Sequence, residues 1–598
     1  MTEISAIGQT VAHLAAGKTI ERQTQITPAA IVAWCHRNKF PLLALAPHAP
    51  AWLGEDSAFV AALATEQASY ELQRDEYVIV RDAWRARGID CLMIKSAGNA
   101  PSFPHTSDNI DILVQPEHGP AARDTLRQLG YVELRNIEEP HKFLFRRFRG
   151  GESVSAIHVH EQVLWLVGFM DEAALWKRRR ISPDDPMVTI PSPEDAILIN
   201  LAHACYENKV FRFNDIIRVR HALKSAGADF DWGYLETVAL ARGWHDGLAF
   251  MLLTYAHLEP LLFGDSLIPM NVLAQLGQIV AAERYATQRL ATVRAMPSVD
   301  LPTSLSYRFC KWLYYRKIWA DPLHTTSQKW YDTVMTLLVG IKLKTGIRPQ
   351  PGMLITLSGP DGSGKTTHAE ALLAALAVCG LKTTYVWSRG GSTGLLGLLS
   401  ALRRRGGNTT EQIAAAEDPI AHRKRQLAHP LVRLAWSWLV ALDGLSTAYF
   451  RMALPAWRGR IVIADRYVYD TAAEMDATLP EDDRASRLAI AALLRLAPRP
   501  DRAYLLTVPP VTAQSRRPEE QLSADAAADR RRYTTLATRY RLRHLPNDGA
   551  FVTSNDRLVR ETLMGFMAGF VTRLNGLFMG NPHQKNRPDP IWERGGTR

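Results

Sequence analysis

The sequence predicts an α/β protein in two parts: an α+β domain with a helical extension, then a domain built on a parallel sheet. Three observations carry this reading. The chain has 598 residues, more than one hydrophobic core serves, so at least two domains are expected. Short strand-like runs ("IDCLMIKS", "IDILV", "FLFRRF", "SAIHVHEQVLW") lie among helical periodicities in the first third. In the second half an apolar run passes directly into a glycine-rich turn and a helical pattern, "MLITLSGPDGSGKTTHAEALL", the order of a buried parallel strand and its crossover helix.

Taken in order, residues 1–27 form an N-terminal segment and 28–260 a first domain. That domain opens on helical patterns in "ITPAAIVAWC" and "YELQRDEYVIVRDAWRARG". The strands follow, with the amphipathic helix "GPAARDTLRQLGY" between them, ending at Gly130. From "IPSPEDAILINLAHACYE" onward the pattern is helical. Residues 261–348 read as a helical connector whose "FCKWLYYRKIWADPLHTTSQKWYD" interleaves aromatic and basic residues. Such interleaving can stack single-stranded nucleic acid. No nucleic-acid-binding module accompanies it, so a packed connector is the favoured reading. The cluster "GIRPQPG" marks the boundary to a second domain, 349–575, and 576–598 reads as a disordered basic tail.

Composition narrows the partners. Hydrophobic residues are 47% and charged residues 22%, as in ordinary globular proteins. Lys plus Arg is 71 against 60 for Asp plus Glu, a net charge of +11 that favours anionic partners: phosphates, nucleic acid or an acidic membrane surface. Cys35, Cys91, Cys205, Cys310 and Cys379 are too scattered for a metal knuckle or a redox pair, and reduced thiols are expected. "MTEISAIGQT" has no signal-peptide pattern. The most apolar helix, "LVRLAWSWLVALDGL", is interrupted by Arg433 and Asp443, so no membrane span is expected, and its Trp436 and Trp438 are assigned to the core. A cytoplasmic location follows as an expectation.

The strongest motif is Gly359-Pro360-Asp361-Gly362-Ser363-Gly364-Lys365-Thr366, with Thr367 next. Gly-x-x-x-x-Gly-Lys-Thr between a strand and a helix is a phosphate cradle. Glycines let backbone N–H groups converge on an anion, and the helix N-terminus adds its positive dipole end. Lys365 can reach the β- and γ-phosphates of ATP, and the Thr366 hydroxyl can ligate Mg²⁺. A second apolar run, "GRIVIADRYVYD", ends in Asp465 and Arg466. A parallel strand ending there sets the carboxylate at the edge of the sheet beside the cradle, able to hold Mg²⁺, with Arg466 available for a second phosphate.

"GPDGSGKTT", "VWSRGG", "DRYVYD" and "PRPDRAYLLTVPPVTAQSR", in that order, resemble the thymidylate kinase family of P-loop nucleoside monophosphate kinases, in a divergent branch, over about residues 350 to 575. The resemblance implies an ATP- and Mg²⁺-dependent phosphotransferase. Asp361, Arg389 and Arg466 would meet the acceptor. Arg516 would open a mobile lid and join Lys365, Asp465 and Arg466 in catalysis. Arg517 and the run Arg530-Arg531-Arg532 would supply further lid charges, unless that run is a solvated helix face. The family's Arg-Glu-Pro-Gly-Gly survives only as "SRGG", and no thymine-reading pattern follows it. The acceptor is therefore given no finer description than a nucleotide or a phosphorylated or sugar-like small molecule.

In the first domain, "GIDCLMIKSAG", "DNIDILV", "LRQLGY", "IHVHEQVLW" and "IPSPEDAILINLAHA" resemble a poorly characterised bacterial family with the nucleotidyltransferase fold. Such enzymes hold Mg²⁺ between carboxylates on adjacent strands. The family's strand reads Asp-Ile-Asp-Leu-Leu-Val; here it is Asn109-Ile110-Asp111-Ile112-Leu113-Val114. Asp108 is one residue out of phase and points to the other face. The third carboxylate position is His158. Asp111 alone remains, which favours a relic site in which Lys95, Asn109, Asp111 and His158 persist and Lys95 can hold a ligand phosphate. His158 and His160 share a strand face, and with Asp111 they are an alternative set for a softer ion such as Zn²⁺. Two further readings stay open: a bifunctional kinase and nucleotidyltransferase, and a non-catalytic P-loop ATP-binding assembly protein. The sequence does not decide whether the chain dimerises.

Overall fold

The computed structural model describes residues 3–18, 20–21, 25–95, 109–134, 141–165, 167–296, 298–345, 350–388, 427–480, 482–509, 512, 526–547 and 549–575. Arg389, Arg516, Arg517, Asp108 and the basic tail lie outside them. The chain divides into two compact units, Met1–Arg147 with Val154–Ile347, and Phe148–Ser153 with Arg348–Arg598.

The N-terminal unit carries a five-stranded sheet: β1 (Leu92–Met93), β2 (Asn109–Leu113), β3 (Val132–Leu134), β4 (Lys142–Arg149) and β5 (Glu152–His160), in the order β1-β2-β5-β4-β3. β2 runs parallel to β5, with Asp111 opposite His158 and Leu113 opposite His160. Period-two alternation sorts these strands into two faces. Ile110, Ile112, Ile157 and Val159 pack with Tyr77, Val80 and Trp84 of helix α1 (Ser57–Arg85). Asp56 caps α1 by accepting the Ala58 and Phe59 amides. Trp84 donates its indole N–H to Ala122 O on α2 (Gly119–Gln128). The opposite face, with Asp111, His158 and His160, turns toward a helical layer built from α3 (Pro193–Ala202), a π-helical turn at His203–Asn208, α4 (Phe213–Ala226) and α5 (His245–Phe263). Leu113 belongs to the same core as these helices. That core also takes in Phe309, Leu313 and Ile318, so the aromatic residues of the basic segment are in part core residues of this unit.

The C-terminal unit is a five-stranded sheet, β6 (Met353–Ser358), β7 (Thr383–Trp387), β8 (Ile461–Asp465), β9 (Arg502–Thr507) and β10 (Arg543–Pro546), ordered β7-β8-β6-β9-β10 with each neighbouring pair parallel. The central strand β6 is buried along its whole length and β8 likewise, the near-continuous apolar pattern of a sheet covered on both faces. Helix α6 (Lys365–Val378) leaves the end of β6 through the glycine loop. Helix α7 (Pro430–Ser446) corrects one expectation: Trp438 is 40% exposed. Its buried positions are Ser437, Val440, Ala441 and Asp443, and Trp438 falls about 100° of helical turn from Ser437, off that stripe. Trp436 packs half-buried against the core. Among the described residues no helix is long and apolar enough to cross a membrane.

Candidate functional site

In the C-terminal unit the loop 359–364 turns at the carboxyl end of β6, where parallel sheets place ligands. Gly359 has φ 151° and a Cβ there would lie 2.3 Å from Leu506 O; Gly364 has φ 87° and its Cβ would meet Asn547 Nδ2 at 2.7 Å. Both positions therefore require glycine. The loop is held from two sides. Asn547 donates to Ser363 O at 3.0 Å, and Gly359 N–H donates to Asp470 Oδ1 at 3.2 Å.

Lys365 is buried and donates to the carbonyls of Gly359 and Pro360 at 2.6 and 2.9 Å. Burial lowers its pKa, and an added anion would favour its charged form. Next to it, Thr366 Oγ1 donates to Asp465 Oδ2 at 2.6 Å, and Tyr385 OH donates to the same oxygen at 3.0 Å. Asp465 is 1% exposed, and its Oδ1 is buried with no partner among the described residues. A buried carboxylate oxygen left open beside a hydroxyl is a donor set that fits Mg²⁺.

Arg466 follows at φ 77° and pairs with Asp361. Burial opposes its charge, but Asp470 and Asp361 more than offset this and hold the guanidinium pKa above its usual value. Asp361 is also 3.8 Å from Lys365 Nζ. The loop, Lys365, Thr366, Asp465, Asp361 and Arg466 are thus brought together. Arg530 and Arg531 are exposed on α10 (Ala526–Tyr540), with Arg530 donating to Val508 O at 2.8 Å. Arg532 pairs with Asp529 and Asp476. Sequence reasoning missed three contributors: Tyr385, Asp470 and Asn547. Asp470 is the last residue of "DRYVYD" and caps helix α8 (Val468–Thr478) through the Tyr467 amide. Its helix-start position was the one readable signal.

In the N-terminal unit Asp111 Oδ1 sits at the centre of a buried polar cluster. Lys95 Nζ is 3.1 Å away, His160 Nε2 2.9 Å and His158 Nδ1 3.3 Å. Asn109 Nδ2 lies 3.3 Å from the same His158 nitrogen. Burial works against the Asp111 charge, yet the Lys95 ammonium and the two histidines hold the carboxyl well below its ordinary range. Burial pushes His160 down to about 3 and lowers His158 as well. Lys95 also approaches Glu207 at 3.8 Å, and Glu207 meets Lys142 and His203. Glu207 and His203 come from the π-helical turn, a distortion common at functional sites; neither carries a sequence signal.

Beside this cluster lies a small cavity of about 20 Å³ lined by Lys95, Arg180, Asn200, Arg218 and His221 over an apolar floor. Among the described residues its lining holds no carboxylate. Arg180 Nε, Arg218 Nε, His221 Nε2 and Asn200 Oδ1 are buried without a hydrogen-bond partner among the described residues. Burial lowers the pKa of Arg218, although Asp215 and Asp111 oppose the shift. Buried guanidinium groups with an unbonded N–H suit an anionic ligand.

A family profile described as "Uncharacterised nucleotidyltransferase" matches residues 55–260. The chain is 33% identical over 177 residues to a thymidylate kinase of Xanthomonas euvesicatoria pv. vesicatoria (strain 85-10), a match covering 29% of this chain and 63% of that protein. It is also similar to the structure of a thymidylate kinase from Candida albicans, at 16% identity and a TM-score of 0.26, covering 36% of this chain and 94% of that one. The two-part resemblance read from the motifs is thus found again by comparison with known proteins.

Proposed function

We propose that the C-terminal unit transfers the γ-phosphoryl group of ATP to a nucleotide or to a phosphorylated or sugar-like small molecule. The observation that carries this reading is the open, buried Asp465 Oδ1 beside the Thr366 hydroxyl at the mouth of the glycine loop. Thr366 and Asp465 would hold Mg²⁺, which screens the phosphate charge and fixes its orientation. Lys365 leaves the carbonyls of Gly359 and Pro360 to meet the β- and γ-oxygens. Arg466 orients the acceptor phosphate, and Asp361 positions the attacking hydroxyl. Arg389 and Arg516 join them on the acceptor and lid sides, as the thymidylate kinase resemblance implies. The similarity to a curated thymidylate kinase supports this chemistry.

The N-terminal unit serves as a binding module for a phosphate-bearing ligand, not as a Mg²⁺ nucleotidyltransferase. The cationic side chains Lys95, Arg180 and Arg218 gathered around one small cavity support the first half of this statement. Asn109 and His158, standing where carboxylates would hold two divalent ions, support the second. A screen for ATP consumption against nucleoside monophosphates, nucleosides and sugars tests the reading. Turnover stimulated by at least one acceptor class is expected; acceptor-independent binding of ATP with no turnover on any would favour a P-loop assembly protein.

A further inference from the structure

We propose that Asp111, His158 and His160 form a three-ligand centre for a late first-row divalent cation of the zinc type. One ligand atom from each lies within 4.8 Å of the others. Asp111 Oδ1 is 2.9 Å from His160 Nε2 and 3.3 Å from His158 Nδ1. Two ligands of a tetrahedral zinc, with bonds near 2.0–2.1 Å, stand roughly 3.3 Å apart. The two carboxylate–imidazole separations are thus already close to that value.

The register explains why the three converge. Asp111 and His158 are directly paired across β2 and β5, and His160 follows two residues on, on the same face. Two imidazoles and one carboxylate suit zinc, cobalt or iron, whereas Mg²⁺ takes an all-oxygen shell. Three protein ligands also leave a position for water or a ligand, the composition of reactive zinc sites and not of closed structural ones. The centre borders the cationic cavity through Lys95, which touches Asp111 and lines that cavity.

Lys95 is the competitor. Its ammonium neutralises Asp111 at 3.1 Å, the role that a bound cation would take over. Glu207 Oε2, 3.8 Å from Nζ, is a second anionic partner onto which the ammonium can withdraw. The centre is thus poised between two cations, lysine and metal, and removing the first should strengthen the second.

The test uses the full chain and reads metal, not turnover, so its outcome is separate from that of the kinase reading. The protein is loaded with Zn(II), dialysed against excess Mg²⁺, and its metal content measured; Co(II) loading is followed by visible absorption. About one tightly held ion is expected, with a strong, low-coordinate Co(II) band. His158→Gln and His160→Asn, checked for folding by circular dichroism, should each weaken binding by more than about 100-fold, beyond the usual loss from an outer-shell change. Lys95→Met should bind more tightly than the natural chain. If His160→Asn does not fold, Lys95→Met and His158→Gln still decide. Equal metal retention in the natural chain and His158→Gln, or no Co(II) band in either the natural chain or Lys95→Met, would overturn the proposal.

Discussion

Asp465→Asn is the most discriminating single change in the C-terminal unit. Asp465 Oδ2 accepts from Thr366 and Tyr385 at 2.6 and 3.0 Å. An asparagine that places its carbonyl oxygen there keeps both bonds, so the fold should survive. What changes is the other atom: the open, buried Oδ1 becomes an amide N–H₂ with no charge to offer. Two unit charges 4 Å apart interact by about 4 kcal/mol at an effective dielectric of 20, and a divalent ion doubles this to about 8 kcal/mol. Desolvation of the carboxylate offsets more than half. A net loss of about 3–4 kcal/mol corresponds to a fall of about 100- to 1,000-fold in kcat/KM. The assay is steady-state transfer across a Mg²⁺ titration, with circular dichroism to confirm folding. A folded variant whose rate and Mg²⁺ half-saturation stay within about three-fold of the natural chain would refute the assignment.

Other expectations follow from particular contacts. Arg466→Ala removes a charged phosphate contact worth about 2–3 kcal/mol, so kcat/KM for the acceptor should fall about 30- to 100-fold while the KM for ATP stays near its original value; a change confined to ATP would reassign Arg466. Asp483 accepts the Ser486 amide at the start of helix α9 (Arg484–Leu496) and pairs with Arg433, interactions that lower its pKa to about 2. Because the folded pKa lies below the unfolded one, this stabilisation is full above about pH 4 and fades as pH falls toward 2. Asp483→Ala should therefore lower Tm near neutrality and lose its effect in that acid window, as thermal melts across pH would reveal. With labelled nucleoside triphosphates and Mg²⁺, the full chain carrying Lys365→Ala should release no pyrophosphate by nucleotidyl transfer. Activity there that vanished with Asp111→Ala would establish the bifunctional reading instead.

What could be read from the sequence was what is local in sequence. The glycine loop, Lys365 and Thr366 are contiguous, and Asp465 ends a strand whose apolar run is unmistakable. Asn109, Asp111 and His158 were legible because strand alternation fixes which side chains share a face. Tyr385 and Asn547 were not, because each reaches the site from a different strand edge and only the sheet order brings them in. Glu207 and His203 depend on a π-helical turn, which has no periodicity of its own. The cationic cavity brings Arg218 and His221 of α4 together with Lys95 and Arg180 from elsewhere in the chain, and net charge alone could not localise it. Trp438 failed for a simpler reason: its hydrophobicity was read in place of its phase on the helix.

The central claim is phosphoryl transfer at the glycine loop, and ATP labelled at the γ-phosphate tests it most directly. The natural chain and folded Lys365→Ala are incubated with Mg²⁺ and a panel of nucleoside monophosphates and sugars, and labelled products are resolved. Lys365 is buried against the loop carbonyls at 2.6 and 2.9 Å, and it is the one cation of the cradle motif itself. The natural chain should label at least one acceptor, and Lys365→Ala should lose about 100-fold or more of that rate. Equal labelling by both proteins, or label appearing only as free phosphate whatever acceptor is supplied, would contradict it.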